Sequence, residues 1–297
     1  MAIGTAAVAD RNLARKFIFE DADIRGELVH IDSAYRDIIG IHQYPTGVTR
    51  LLGEFLAAAV LLSTTIKFEG RLVLQAQGSG ALQLLMAECS NDLKVRAIAR
   101  GAEHATATAF DELLSGGHLA ITIEPSRGQR YQGIVPLDGG SLAACIEHYF
   151  ENSEQLPTRL WLDSNGSVAA GMLLQQLPTQ ITADAALRQQ QWEHACTLAE
   201  TVQADEVMQL SQETLLFRLF HEDKVRLFDG QPVEFACSCS RERCHGALMS
   251  IGPTELLQLL EEDGEVTMDC EFCNARYRFD RTDFEAQLGD QDRGALH

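Results

Sequence analysis

Arg71-Leu-Val-Leu-Gln-Ala-Gln77, a turn at Gly78-Ser79-Gly80, a return run from Ala81 to Glu88, a second turn at Ser90-Asn91-Asp92, and a last run from Leu93 to Arg100 together decide the fold class. Apolar residues alternate in part with polar ones in the first run and with basic or small ones in the last. Turn residues separate the runs, which predicts a three-stranded antiparallel meander. Leu119 to Glu124 and Arg130 to Leu137, joined around Pro125-Ser-Arg-Gly128, read as a further hairpin. Helices punctuate the strands: Ser33 to Ile41, Thr46 to about Thr64 after Pro45, and Ser141 to about Asn152 with Ser141 as N-cap. The expected class is therefore α+β, an antiparallel-sheet core with helices over residues 1–178, and not a parallel doubly wound sheet.

Beyond Pro178 the composition shifts. Thr179 to Gln191 is polar and rich in Ala and Gln, and the chain to His221 reads as short helices, one starting after the cap Ser211. A short strand, Lys224 to Phe228, follows. Large apolar residues are few here, so these amphipathic helices need a neighbour to cover them, and a marginally stable helical linker is expected over 179–233. The remaining segment, 234–297, has a small apolar set, Leu248, Ile251, Leu256, Leu257, Leu259, Leu260, Tyr277 and Phe279. A unit of that size needs a staple.

The totals narrow the function classes. The chain has 297 residues, 45% hydrophobic and 23% charged, as a folded globular protein does. Lys and Arg number 24 against 43 Asp and Glu, a formal charge of −19, which repels nucleic acid and anionic membranes. Residues 234–297 hold six Arg and fourteen acidic residues, a balance of −8, so a nucleic-acid-binding zinc ribbon is disfavoured. The modestly apolar Ala2 to Ala9 runs into Arg11, Arg15 and Lys16 with no long apolar stretch after it, unlike a secretory signal. Leu51 to Ile66 contains Glu54 and falls short of a membrane span. A soluble cytoplasmic protein, binding neither nucleic acid nor membrane, is expected.

Five of the eight cysteines fall between Cys237 and Cys273. In a cytosolic chain such clustering points to metal or redox chemistry and not to a disulfide framework. Cys237-x-Cys239 and Cys270-x-x-Cys273 are two short pairs with thirty residues between them. That intervening chain is read as a helix after Ser240, a helix around Pro253 to Glu262 and a strand from Glu265 to Asp269, enough to bring the second knuckle back to the first. Four soft ligands so arranged suit one tetrahedral zinc ion. Cys244 lies outside a set that is already complete. Zinc-held thiolates stay oxidisable, and Arg241 and Arg243 beside the first knuckle are expected to favour the thiolate form. Without the ion, Cys237 can pair with Cys239 and Cys270 with Cys273, the former across a single residue and so strained. Loss of the ion should unfold the module and loosen the linker leaning on it.

Phe235-Ala-Cys-Ser-Cys-Ser-Arg-Glu-Arg243, with Cys270-Glu-Phe-Cys273 and Tyr277-Arg-Phe279, resembles the C-terminal zinc module of the bacterial 33-kDa heat-shock protein family of redox-regulated holdase chaperones. The likeness continues through Arg130-Tyr-Gln-Gly133, Ser141-Leu-Ala-Ala-Cys-Ile-Glu147, Ser153-Glu-Gln-Leu-Pro-Thr-Arg159 and Gly171-Met-Leu-Leu-Gln175, covering nearly the whole chain. It implies an α+β core, a helical linker, and a module whose four cysteines, here Cys237, Cys239, Cys270 and Cys273, bind zinc when reduced and form two disulfides when oxidised. It further implies that oxidation releases zinc and unfolds the linker. The chaperone, as a dimer, then holds unfolding client proteins without ATP until a foldase takes them over.

Other readings stay open on the residues alone. Cys270-Glu-Phe-Cys273 could act as a thioredoxin-like dithiol, although that role wants the first cysteine at a helix N-terminus and here a strand precedes it. The zinc site could also be purely structural. Gly78-Ser-Gly80 and Gly139-Gly-Ser141 match no phosphate-loop fingerprint and read as a turn and a helix entry. Cys89, Cys145 and Cys196 are expected as small buried apolar residues, Trp161 and Trp192 as packing residues, His245 on the surface, and the Leu51 to Leu62 helix in the core.

Overall fold

In the computed structural model, which describes residues 11–284, the chain divides into two units, one ending at Ala236 and the other beginning at Cys237. The Ala2 to Ala9 stretch and the end of the 234–297 segment lie outside the described residues.

The first unit opens with strands β1 (Leu13–Phe19) and β2 (Ile24–Ile31), then helices α1 (Ser33–Ile39) and α2 (Thr46–Thr65). The predicted meander follows as β3 (Gly70–Gln77), β4 (Leu84–Ser90) and β5 (Lys94–Arg100), then a short helix α3 (Phe110–Leu113) and the hairpin β6 (His118–Pro125) and β7 (Tyr131–Pro136). Helix α4 (Leu142–Tyr149) runs into a π turn (Phe150–Glu154), followed by β8 (Thr158–Ser164) and β9 (Ala169–Gln176). Helices α5 (Ala185–Ala199), α6 (Ala204–Gln209) and α7 (Gln212–Phe220) precede three short strands, β10 (Val225–Leu227), β11 (Gln231–Pro232) and β12 (Glu234–Phe235). One sheet has the order β10-β1-β2-β9-β8 with β11 also on β1, and the other the order β12-β5-β4-β3-β6-β7. All pairings are antiparallel except β12 with β5, so the α+β class with antiparallel sheets is found.

Helix α2 packs against both sheets, and Leu52, Phe55, Leu56 and the run Ala57 to Leu62 are fully buried. A helix apolar on every face can be stable in water only when covered all round. Its 20 residues are long and apolar enough to cross a membrane, which corrects the expectation drawn from Leu51–Ile66. Burial between two sheets accounts for the same composition. The return strand β4 starts three residues later than the sequence suggests, because the Ala81 and Leu82 amides donate instead to the Glu112 and Leu113 carbonyls, at 3.2 and 2.9 Å. Ser141 caps α4 as expected, its Oγ accepting from the Ala144 amide at 3.1 Å, but the α-helix ends at Tyr149, short of Asn152, and widens into the π turn.

Strands β1, β2, β8 and β9 are not among the elements expected from the sequence. Strands β2 and β9 are buried along almost their whole length, having α2 on one face and the helices after Pro178 on the other, so their sequences lack the alternation that marks a half-exposed strand. The helices do rest on a neighbour: Trp192, Leu215, Leu219 and Phe220 pack with Phe17, Phe19, Leu28 and Met172 in a core of their own. Gly26 makes that layer possible. A Cβ there would fall 2.0 Å from the Phe17 ring.

Glu27, on β2, is 1% exposed. Burial pushes its carboxyl up to about 7, against the pull of Lys16 and Arg25 and a hydrogen bond with Thr64. The folded protein therefore binds a proton that the unfolded chain, titrating near about 4.3, has lost. Glu27 accordingly lowers stability as pH rises from about 4.3 through about 7. Glu27→Gln should raise the urea midpoint relative to wild type more at pH 8 than at pH 5, and an equal difference at the two pH values would refute this assignment.

The second unit comprises α8 (Arg241–Met249), α9 (Pro253–Asp263), the hairpin β13 (Glu265–Asp269) and β14 (Arg276–Asp280), and a closing 3-10 turn (Arg281–Phe284). Its buried core is Cys244, Leu248, Leu256, Leu260, Phe279 and Phe284. Ile251, expected in that set, is exposed, because it lies in the turn between the two helices. His245 is not a free surface residue: its ring stacks on Phe284 at 4.9 Å, and Nε2 lies 3.0 Å from the Asp283 carbonyl.

Candidate metal centre

Each knuckle is shaped by the elements that flank it. Cys237 and Cys239 lie on extended chain just before α8, whose N-cap Ser240 accepts from the Arg243 amide at 3.2 Å. The Arg243 guanidinium returns to Ser238, donating to its carbonyl and its Oγ at 2.8 Å each. The second knuckle is the turn between β13 and β14. The Cys273 and Asn274 amides donate to the Cys270 carbonyl at 3.3 and 2.7 Å, the Cys270 amide to the Ala275 carbonyl at 2.9 Å, and Asn274 adopts a left-handed φ of 55°. Asparagine tolerates that conformation better than most side chains. Arg276 clasps Asp269 across the base of the turn with two hydrogen bonds of 2.7 Å.

The four sulfurs, all half-buried, lie within 4.8 Å of one another. The closest approaches join the two knuckles: Cys237 to Cys270 at 3.6 Å and Cys239 to Cys273 at 3.4 Å. A tetrahedron with metal–sulfur bonds of about 2.3 Å has sulfur–sulfur edges of about 3.8 Å, so the set fits a single zinc ion both in its chemistry and in its dimensions. Cys244 faces the unit's apolar core from α8, and burial pushes its thiol up.

Two partners escaped the sequence. Tyr277 Oη lies 3.1 Å from Cys239 Sγ, beyond the apolar role expected of Tyr277. Burial raises the Cys239 thiol, but hydrogen bonds with Tyr277 and with Cys273, Cys237 and Cys270 outweigh it and hold it at about 7. Cys270 and Cys273 are shifted upward, first by burial. The second is Asp283, on which Arg241 forks at 2.8 Å to each carboxylate oxygen while lying 4.5 Å over the Phe279 ring and donating to the Arg278 carbonyl. Arg241 and Arg243 thus brace the knuckle's backbone and the 3-10 turn, a structural role beyond the expected favouring of the thiolates. Cys270 lies between two antiparallel strands and not at a helix N-terminus, which removes the geometric basis of a thioredoxin-like dithiol.

The other cysteines are set apart from this chemistry. Cys89, Cys145 and Cys196 are buried, and burial pushes the thiols of Cys89 and Cys196 up to about 12. Trp192 packs in the core between the helices and the first sheet, and Trp161 is partly buried against it.

A family model described as Hsp33 protein matches residues 12–280. The chain is 52% identical over 278 residues to the 33 kDa chaperonin of Pseudomonas aeruginosa strain UCBPP-PA14, covering 93% of each protein. It is likewise 52% identical over 284 residues to the 33 kDa chaperonin of Azotobacter vinelandii, covering 95% of each. The 2.20 Å crystal structure of a 33 kDa chaperonin from Thermotoga maritima shares the fold, with a TM-score of 0.78 at 21% identity over 95% of this chain and 99% of that one.

Proposed function

The chain belongs to the Hsp33 protein family, and we propose that it is an ATP-independent holdase chaperone switched on by oxidation of Cys237, Cys239, Cys270 and Cys273. The observation that carries this reading is the four-sulfur cluster, half-buried and built on a unit whose core is too small to stand without a staple. One zinc ion held there keeps the sulfurs as thiolates and contributes about 10 kcal/mol or more to folding. On oxidation, Cys237 joins Cys239 and Cys270 joins Cys273. Each pair of thiolates gives two electrons to one peroxide, which takes two protons from solvent and leaves as two waters, while one S–S bond forms. The ligand set is then gone, and the second unit loses its staple.

The linker over 179–233 responds next in this reading. Its helices rest on one sheet through a modest apolar layer, and their release uncovers both the helices' apolar faces and the sheet beneath. That surface holds unfolding client proteins in the cytoplasm. The oxidised protein is a homodimer and passes its clients to foldase chaperones.

Reduced, zinc-loaded protein and peroxide-treated protein, compared in light scattering of an unfolding client without ATP, test the proposal. Oxidation should consume four thiols, release one zinc per chain to a chromophoric indicator and suppress scattering, whereas the reduced form should not suppress it. The buried Cys89, Cys145, Cys196 and Cys244 should remain titratable after denaturation. Equal suppression by both forms, with zinc retained, would leave a purely structural zinc site.

A further inference from the structure

Away from the cysteines, the first unit carries a cleft of about 550 Å³ between its two sheets, within the range usual for small-molecule sites. Hydrocarbon forms much of its wall, from Leu62, Ile66, Leu72, Ile121, Ile123 and Leu156. Two cations line it as well, Arg25 on β2 and Lys67 just after α2. We propose that this cleft binds an aliphatic carboxylate of medium chain length, its head group on Arg25 and Lys67 and its chain along the apolar wall.

The state of Arg25 is the first reason. Its Nε and Nη2 both donate to Gln175 Oε1, at 3.1 and 2.5 Å, and Gln175 is itself fully buried and fixed by donating from Nε2 to Thr158 Oγ1 at 2.9 Å. A neutral amide thus orients the guanidinium without neutralising it, and Nη1 is left for another acceptor. Among the described residues no carboxylate lies within ion-pair distance of Arg25 or Lys67. The acid nearest along β2, Glu27, is the one burial keeps largely protonated below about 7. In a chain with 43 acidic residues, two cations with no carboxylate in ion-pair contact, set beside hydrocarbon, favour an anion with an apolar body.

Glu154 also lines the cleft and keeps its charge, since its donors are neutral hydroxyls, but its Oε1 is turned to the tyrosines at the rim of the π turn. Glu154 Oε1 accepts from Tyr149 Oη at 2.6 Å and from Tyr131 Oη at 3.0 Å. At the C-terminus of α2, the Thr64 carbonyl accepts from Lys16 Nζ at 2.5 Å, and the Leu61 and Leu62 carbonyls accept from the Thr64 and Thr65 hydroxyls at 2.7 Å each. The backbone beside the cleft is unusual too. The π turn presents Phe150, Ser153 and Glu154, and Gln155, with a left-handed φ of 55°, then swings Leu156 into the wall. π turns and left-handed non-glycine residues recur at ligand sites, where surrounding structure holds them. Gly133 lets the Tyr149 ring lie against β7, since a Cβ there would fall 2.3 Å from it.

Titration calorimetry of the full-length reduced, zinc-loaded protein with sodium decanoate below its micelle concentration tests the site. One saturable equivalent should bind, Arg25→Gln should weaken binding about tenfold or more, Ile123→Trp should abolish it by filling the cleft, and decyltrimethylammonium should not compete. Should Arg25→Gln fail to fold, the exposed Lys67→Gln serves as the charge test, with a loss of about threefold expected. Absence of saturable binding, equal binding of the ammonium amphiphile, or unchanged affinity in the variants would overturn the assignment.

Discussion

Cys273→Ser should yield a chain that, even fully reduced, fails to retain one zinc through gel filtration and is cut by trypsin within its second unit at Arg243, Arg276 or Arg278. The serine hydroxyl stays protonated at neutral pH and is a hard donor, so three sulfurs remain where zinc wants four. The folding energy at stake is about 10 kcal/mol or more, set against six buried core side chains. The first unit has its own two-sheet core and should resist proteolysis throughout. Cys244→Ala is the control: it removes a buried thiol from the core of the same unit but should keep the zinc. A Cys273→Ser chain that binds zinc stoichiometrically and resists trypsin would dismiss the four-cysteine assignment.

The second large effect is expected far from any ligand. Phe220 is 2% exposed, meeting Phe19 edge-on at 5.0 Å and Phe17 at 6.3 Å, and is the aromatic anchor by which α7 rests on the first sheet. Truncating it in Phe220→Ala should cost about 3–5 kcal/mol. The reduced, zinc-loaded variant should then suppress client aggregation without oxidant, with faster amide exchange across α5 to α7 and unchanged zinc content and thiol count. Faster exchange without any gain in holding activity would separate the helical layer from the chaperone surface.

What the sequence disclosed follows the physics of each element. The meander from Arg71 to Arg100 is mostly buried but keeps polar residues such as Gln75, Lys94 and Arg96 among its apolar ones and clear turns between its strands, and so announces itself by partial alternation. Ser141, Ser211 and Ser240 announce helix starts through their hydroxyls. The tetrad is legible because spacing alone limits what short cysteine pairs can do. Strands β2 and β9 were hidden because burial on both faces erases the period of two. The Arg241–Asp283 fork and the Tyr277 contact depend on where a 3-10 turn and a strand meet in space, 42 and 38 residues away from their partners, and no local pattern encodes that. The cleft beside Arg25 is likewise assembled from seven separate stretches of chain.

The helical layer is pinned at both ends. Gln176 closes β9 and Val225 opens β10, and both strands belong to the same sheet, while β12 is bonded to the other sheet through the Glu234 and Ala236 amides. Helices that come loose from such anchors form a closed loop of roughly 50 residues and not a free tail, and closing entropy grows only slowly with loop length. Their effective concentration over the sheet they left stays on the order of millimolar. A protein wired this way should reset without a partner once its thiols are restored and zinc is bound again, with the helices' rebinding as an intramolecular event whose rate does not depend on protein concentration.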